Sequence, residues 1–225
     1  MNAACKRPYL WLVALMALVG LAADQASKYV VFTQLYPGNH HEIIPGNFEL
    51  RAGYTDIDDK GDQPLSFLRT ISGQHLPHVN RGALFGLGNA DDASEGWNTF
   101  FACVSVAAAL FIVSWVSRPS VAQDRFLCLA LGLILAGTLG NLYDRIVFSG
   151  VRDFLHFYYI AEGPEGTRII RNWPDFNIAD CCLVCGAGVL LVHSFLVSEK
   201  TAEPAKTEVA PQAAAPLQST TPKGV

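Results

Sequence analysis

Charge is scarce in this sequence. Asp, Glu, Lys and Arg make up only 16% of its 225 residues, against about a quarter in a soluble domain. Apolar residues reach 51%, and the mean hydropathy is +0.26. That imbalance excludes an ordinary soluble enzyme and indicates an integral membrane protein. A basic surplus is also missing. The net charge of -4 leaves no electrostatic footprint for nucleic acid, so no nucleic-acid partner is expected. Cysteine is absent from the polar loops, where an oxidising compartment would place disulfides. Cys103, Cys128, Cys181, Cys182 and Cys185 lie inside apolar runs, and Cys5 precedes the first. The cluster Cys181-Cys182-x-x-Cys185 has no partner cluster and reads as small apolar helix residues. His40-His41 and His75-x-x-His78 lack a neighbouring carboxylate or cysteine pattern and read as solvated loop histidines. No metal and no cofactor is expected.

What is present is a set of four apolar runs, predicting spans at about 8–32, 97–117, 126–142 and 176–197. The first starts like a secretory signal peptide, with Lys6 and Arg7 ahead of an apolar middle. Leu21 is too large for the cleavage motif that Leu21-Ala22-Ala23 would need. A spanning helix takes roughly 20 apolar residues, and this run reaches that length only through Asp24 and Lys28. Those two are spaced i to i+4 and can pair on one helix face. One retained helix is therefore expected. Gly132, Gly137 and Gly140 predict close helix approach in the third span, and Trp97 and Trp115 sit at the interfacial ends of the second.

Two polar outer loops, 33–96 and 143–175, separate the spans. Residues 48–52 alternate as a strand does, and 153–160 is aromatic and strand-like, with His156 a polar member of an amphipathic layer rather than a catalytic base. Residues 79–88 are small and apolar and suggest a segment dipping back against the membrane, with Asn80 aimed at a site. Beyond residue 198 the composition turns to Ala, Pro, Thr, Gln, Glu and Lys, as in a disordered tail. The expected fold is an all-α integral membrane protein of four transmembrane helices. It carries a small β-rich extracytoplasmic layer and a re-entrant or amphipathic loop segment. Residues 1–197 form the membrane domain, and 198–225 a disordered cytoplasmic tail.

Lys6 and Arg7, Arg118 and Arg125, and Lys200 and Lys206 flank the spans on one side. The positive-inside rule then puts both termini in the cytoplasm. Asp24, Asn80, Asn141, Asp144, Asp153, Asn177 and Asp180 consequently converge on a shallow zone at the outer side. Ionisable groups at such depth indicate a functional site. Two carboxylates close together can share one proton, as in an aspartic protease. Asp144, Asp153 and Asp180 all qualify, and the residues alone do not choose two of the three. The competing function is a proton- or cation-coupled small membrane transporter subunit, which would place its polar residues near mid-span.

Five blocks narrow the choice: Asp24-Gln25-x-Ser27-Lys28, Asn80-x-Gly82-Ala83-x-Phe85-Gly86, Gly140-Asn141-x-x-Asp144-Arg145, Val151-x-Asp153-Phe154 and Phe176-Asn177-x-Ala179-Asp180. In their order, and in their places relative to four spans, they resemble the lipoprotein signal peptidases (signal peptidase II). The resemblance implies a membrane aspartic endopeptidase that removes signal peptides from prolipoproteins, cutting just before a diacylglyceryl-modified cysteine. It makes Asp153 and Asp180 the catalytic pair. Asp24, Lys28, Asn80, Gly82, Asn141, Asp144, Arg145 and Asn177 are left to bind substrate or support the site. Diacylglyceryl-modified prolipoproteins and membrane lipid are the implied partners. A monomer in the bacterial cytoplasmic (inner) membrane is expected, with its site at the outer face. Departures from the family lie in the longer stretches 37–78 and 162–171, and in Arg81 after Asn80.

Overall fold

The computed structural model describes residues 7–56, 75–82, 94–164 and 167–202. The chain begins with α1 (Leu10–Gln34), followed by strands β1 (Asn39–Ile44), β2 (Phe48–Ala52), β3 (Tyr54–Asp56) and β4 (His75–Pro77). Then come α2 (Ser94–Val116), the single turn α3 (Pro119–Ala122) and α4 (Arg125–Phe148). Strands β5 (Leu155–Glu162) and β6 (Arg168–Asn172) precede the last helix, α5 (Ile178–Ala202). Among the described residues, α1, α2, α4 and α5 are long and apolar enough to cross a membrane.

Helix α4 is the axis of the bundle. Half of its most apolar window is buried, against 11–22% in the other three. Glycine makes this possible, because a side chain at Gly132 would meet Met16 and Val13 of α1. One at Gly140 would meet Asp24 of α1 and Ala179 of α5. Val13, Ala17, Ile112, Val116, Leu131 and Leu135 fill the space between the helices. Outward-facing Leu18, Leu110, Phe111, Val184 and Phe195 stay exposed, as lipid-facing residues must. Asp124 opens α4 by accepting the backbone N–H groups of Phe126 (2.9 Å) and Leu127 (3.0 Å), which supplies partners for two of the orphan donors at a helix start. Ser149 closes it in the left-handed region, with φ of 59°.

Two span boundaries differ from the sequence expectation. The third span continues past residue 142 to Phe148, so Asp144 and Arg145 ride on its last turns instead of in a loop. A polar cluster ordinarily marks a span end, but here the charge of Asp144 is neutralised inside the protein and the helix runs on. Helix α5 likewise reaches Ala202, into what composition assigns to the tail. The remainder, 203–225, lies outside the described residues. So do 83–88, and with them most of the proposed re-entrant segment; its described part, residues 79–82, bridges to Val151 at Asn80 and bends at Gly82.

The β layer is larger than the two expected strands. β1, β2, β5 and β6 form one antiparallel sheet in that order, in register at Asn39↔Ala52, Phe48↔Phe157 and Tyr158↔Asn172. β3 and β4 form a separate pair. The sheet rests on the end of α1, where Val31 and Phe32 pack against Ala52 and Phe154, and the Tyr54 hydroxyl donates to the Phe32 carbonyl. His156 is buried in this layer, hydrogen-bonded to Asp175 and stacked on Tyr158. Isolated bridges Asn80↔Val151 and Leu155↔Phe176 then fasten the segments carrying Asn80, Asp153 and Asn177 to one another.

Candidate active site

The last of those segments is a helix start. Asn177 Oδ1 accepts the Asp180 N–H (3.1 Å), and Asp180 Oδ2 accepts the Asn177 N–H (3.1 Å). This reciprocal pair is a capping box built with Asn and Asp. It fixes Asp180 in the first turn of α5. Asn141, on α4, donates from Nδ2 to the other oxygen, Oδ1, at 2.9 Å.

Asp153 follows the short extended stretch that leaves α4. Asn177 Nδ2 donates to its Oδ1 at 2.7 Å, and Asn80 Nδ2 donates to its Oδ2 at 3.1 Å. Asn80 is itself held, with its backbone paired to Val151 and its Oδ1 accepting the Gly82 N–H at 3.0 Å. Burial and the negative charge of Asp180 push the Asp153 carboxyl up to about 7, against the opposing donors Asn80 and Asn177 and the Lys28 charge. Each oxygen of Asp153 and of Asp180 therefore has an amide donor, and Asn177 touches both residues. Two adjacent carboxyls, one inclined to keep its proton, are suited to activating water and polarising a carbonyl.

The third carboxylate is placed differently. Asp144 is fully buried; its Oδ1 accepts from Arg152 Nη2 (2.9 Å) and Gln25 Nε2 (3.2 Å). Its Oδ2 accepts from the Arg152 backbone N–H (2.9 Å) and lies 3.3 Å from Lys28 Nζ. With those partners it is a structural anion. Asp24 is equally buried: Oδ2 is 2.9 Å from Lys28 Nζ, and Oδ1 accepts the Ala179 N–H at 2.9 Å, tying α1 to the start of α5. Arg145 donates to the Gly82 carbonyl (3.3 Å) and to Asn98 (3.4 Å), with its guanidinium 4.9 Å from the centre of the Phe101 ring. It thus links α2, α4 and the segment 79–82.

Two residues here had no role in the sequence reading. Gln25 bridges Asp24, Asp144 and the Gly140 carbonyl, and accepts from Arg152 at 2.9 Å. Arg152 is fully buried between the rings of Tyr29 and Phe148, 4.4 Å and 3.9 Å from their centres. Its signal was available, since an arginine in an otherwise apolar stretch next to a candidate acid needs a buried partner. Among the described residues, no group of three or more His, Cys, Asp or Glu side chains is arranged to hold a metal ion.

A multi-helix membrane protein with two amide-held carboxyls at one end of its bundle is the class that this geometry defines. The family model for Signal peptidase (SPase) II matches residues 67–196, more than half of the chain. The chain belongs to the signal peptidase II family. A lipoprotein signal peptidase of Symbiobacterium thermophilum is 30% identical over 187 residues, covering 82% of this chain and 95% of that one. One from Aeromonas hydrophila is 35% identical over 196 residues, with coverage of 85% and 90%. A solved bacterial membrane enzyme, determined by the in meso method at 2.3 Å, shares the fold with a TM-score of 0.57 and 23% identity, over 88% of this chain and 94% of that one. Family and helices together make this a bacterial membrane peptidase, and the transporter alternative is not supported.

Proposed function

We propose that this chain removes the signal peptide from diacylglyceryl-modified prolipoproteins by aspartic catalysis, with Asp153 and Asp180 as the reacting pair. One observation carries the assignment. Asn177 donates to Asp153 from its side chain and to Asp180 from its backbone, in a chain of the signal peptidase II family. Asp180, at a helix start where the dipole favours negative charge, takes a proton from the attacking water. Asp153, protonated, hydrogen-bonds the scissile carbonyl oxygen. The water oxygen bonds to the carbonyl carbon. Collapse of the tetrahedral species then breaks the C–N bond, and the leaving nitrogen takes up the proton. The products are a signal peptide ending in a carboxylate and a lipid-modified cysteine with a free amino group. The pair titrates jointly, as coupled carboxyls do.

Asn80, Gly82, Asn141, Arg145 and Asn177 orient the pair and the substrate backbone around it. Asp24, Lys28 and Asp144 support them from beneath. The basic flanks put both termini in the cytoplasm and the site at the outer face of the inner membrane. The diacylglyceryl chains rest in lipid against exposed apolar helix faces at the site end of the bundle, such as Phe100 and Val104. The monomeric peptidase unit ends with α5 at Ala202 and not at residue 197.

The test uses cells depleted of their own lipoprotein signal peptidase and a reporter prolipoprotein followed by gel mobility. The parent processes the reporter, while Asp153→Asn and Asp180→Asn, at equal membrane levels, lose about 10²–10⁴-fold in rate. Full processing by either variant removes that aspartate from the pair.

A further inference from the structure

Lys28 is fully buried and takes no part in the proton transfers above. Its ammonium has three acceptors, one for each N–H: Asp24 Oδ2 at 2.9 Å, Asp144 Oδ2 at 3.3 Å and Asn141 Oδ1 at 3.5 Å. The two carboxylates it joins share a second task. Asp24 Oδ1 accepts the backbone N–H of Ala179, the residue before Asp180. Asp144 Oδ2 accepts the backbone N–H of Arg152, the residue before Asp153. Each reacting aspartate is anchored through the peptide group that precedes it, and one lysine joins the two anchors. The third acceptor extends the pattern. Asn141 Oδ1 faces Lys28 and Asn177 Nδ2 (3.3 Å), which directs Asn141 Nδ2 to Asp180. The amide flipped by 180° would set its own N–H groups against the ammonium.

The geometry points to Lys28 as a positioning residue of the peptidase, one that clamps Asp24 and Asp144 and so sets the spacing and orientation of Asp153 and Asp180. With those two as the reacting pair proposed above, the clamp acts on both halves of the chemistry at once. Helix pairing alone does not account for it, because an i to i+4 bridge within α1 needs only Asp24. Stability does not require it either, since buried ion pairs are often replaced by apolar residues at little cost. The charged groups facing Asp153 are Asp180 from α5, Lys28 from α1 and Arg145 from α4. The Lys28 charge favours the ionised form of Asp153, so its removal moves Asp153 to still higher pKa. The alkaline limb of activity, set by loss of the Asp153 proton, then shifts upward.

The experiment compares the full-length parent, Lys28→Met and Lys28→Met/Asp24→Asn, purified in detergent and assayed on a diacylglyceryl lipopeptide. Asp153→Asn and Asp180→Asn serve as controls. The double variant preserves the net charge of the buried cluster and keeps an oxygen for the Ala179 N–H, so it folds with a melting temperature near the parent's. Its kcat falls about 10- to 100-fold with KM within about twofold; the alkaline limb rises in Lys28→Met, where the positive charge is lost alone, and moves less in the charge-balanced double variant. A folded double variant with parental kcat and parental limb overturns the proposal. So does unfolding of both lysine variants, or a kcat loss in a folded Lys28→Met with its limb unmoved, each of which assigns Lys28 to structure alone. Inactive aspartate controls beside an unaffected lysine variant overturn the clamp and leave the pair standing. An active aspartate control removes the pair, and the clamp with it.

Discussion

Asn177 donates its side-chain amide to Asp153 at 2.7 Å, and through its backbone and Oδ1 it also caps the helix whose first turn carries Asp180. These two duties separate on mutation. Asn177→Ser keeps a capping oxygen but does not reach Asp153. Asn177→Ala removes both. The serine variant should unfold thermally near the parent while processing falls about 100-fold. The alanine variant should lose a further ~1 kcal/mol of stability. Melting curves in detergent and reporter processing, measured side by side, distinguish the two.

Asp153 predicts a pH-dependent stability. Its folded pKa, raised by burial and Asp180 to about 7, lies above the ordinary value of 3.8. The folded state therefore holds more protons than the unfolded state between those values, and stability falls as pH rises through that window. Asn at this position does not ionise. Asp153→Asn should melt with the parent near pH 4 and several degrees above it at pH 8. Equal melting temperatures at pH 8 would show that the carboxyl is not held near 7.

At Gly140, α4 lies close against α1 and α5 at once. A methyl group there would stand 2.6 Å from Asp24 Oδ2 and 3.0 Å from the Ala179 side chain. Both contacts belong to the scaffold under Asp180. Gly140→Ala should lower kcat at least as much as it lowers stability, by about 10-fold or more for a displacement of a few tenths of an ångström. Single-turnover processing checks this, and an unaffected rate would mean that the helices separate without disturbing the carboxyls.

Asp124 sits at the other end of α4, about 25 Å from Asn141 at 1.5 Å per residue. It caps that helix and pairs with His193 of α5 at 2.7 Å. Burial pushes the Asp124 carboxyl up, but the Leu127 N–H, His193 and the Phe126 N–H together hold it below 3.8. Its contribution to stability is present above pH 3.8 and is lost as pH falls through the lowered value. Asp124→Ala should cost about 1–2 kcal/mol at neutral pH and leave kcat per folded molecule unchanged. Active-site titration against the melting temperature is the measurement.

The parts of the fold legible in the sequence were those set by local pattern. Four apolar runs specify four helices. The alternation at 48–52 marks β2, and the aromatic, strand-like run at 153–160 marks β5. What was not legible depended on partners far along the chain. β1 is exposed at all six positions, so it has no alternation to read, and it becomes a strand only by pairing with β2. The end of α4 was placed too early because Asp144 looks like a span terminator until Lys28 and Arg152 neutralise it. Residue chemistry brought Asp144, Asp153 and Asp180 to one zone without ranking them. The ranking needs the contacts of each oxygen, and those come from three separate segments.

With Asp180 in the reacting pair proposed above, one residue is at once a reagent and the closing member of its own helix cap. Fraying of one turn, the softest motion a helix has, therefore displaces the acid itself. Heat should extinguish processing before the bundle comes apart, leaving a folded but idle protein over an interval of temperature. The working ceiling of the enzyme would then be set by four residues, Asn177 to Asp180, whatever the strength of the helices behind them.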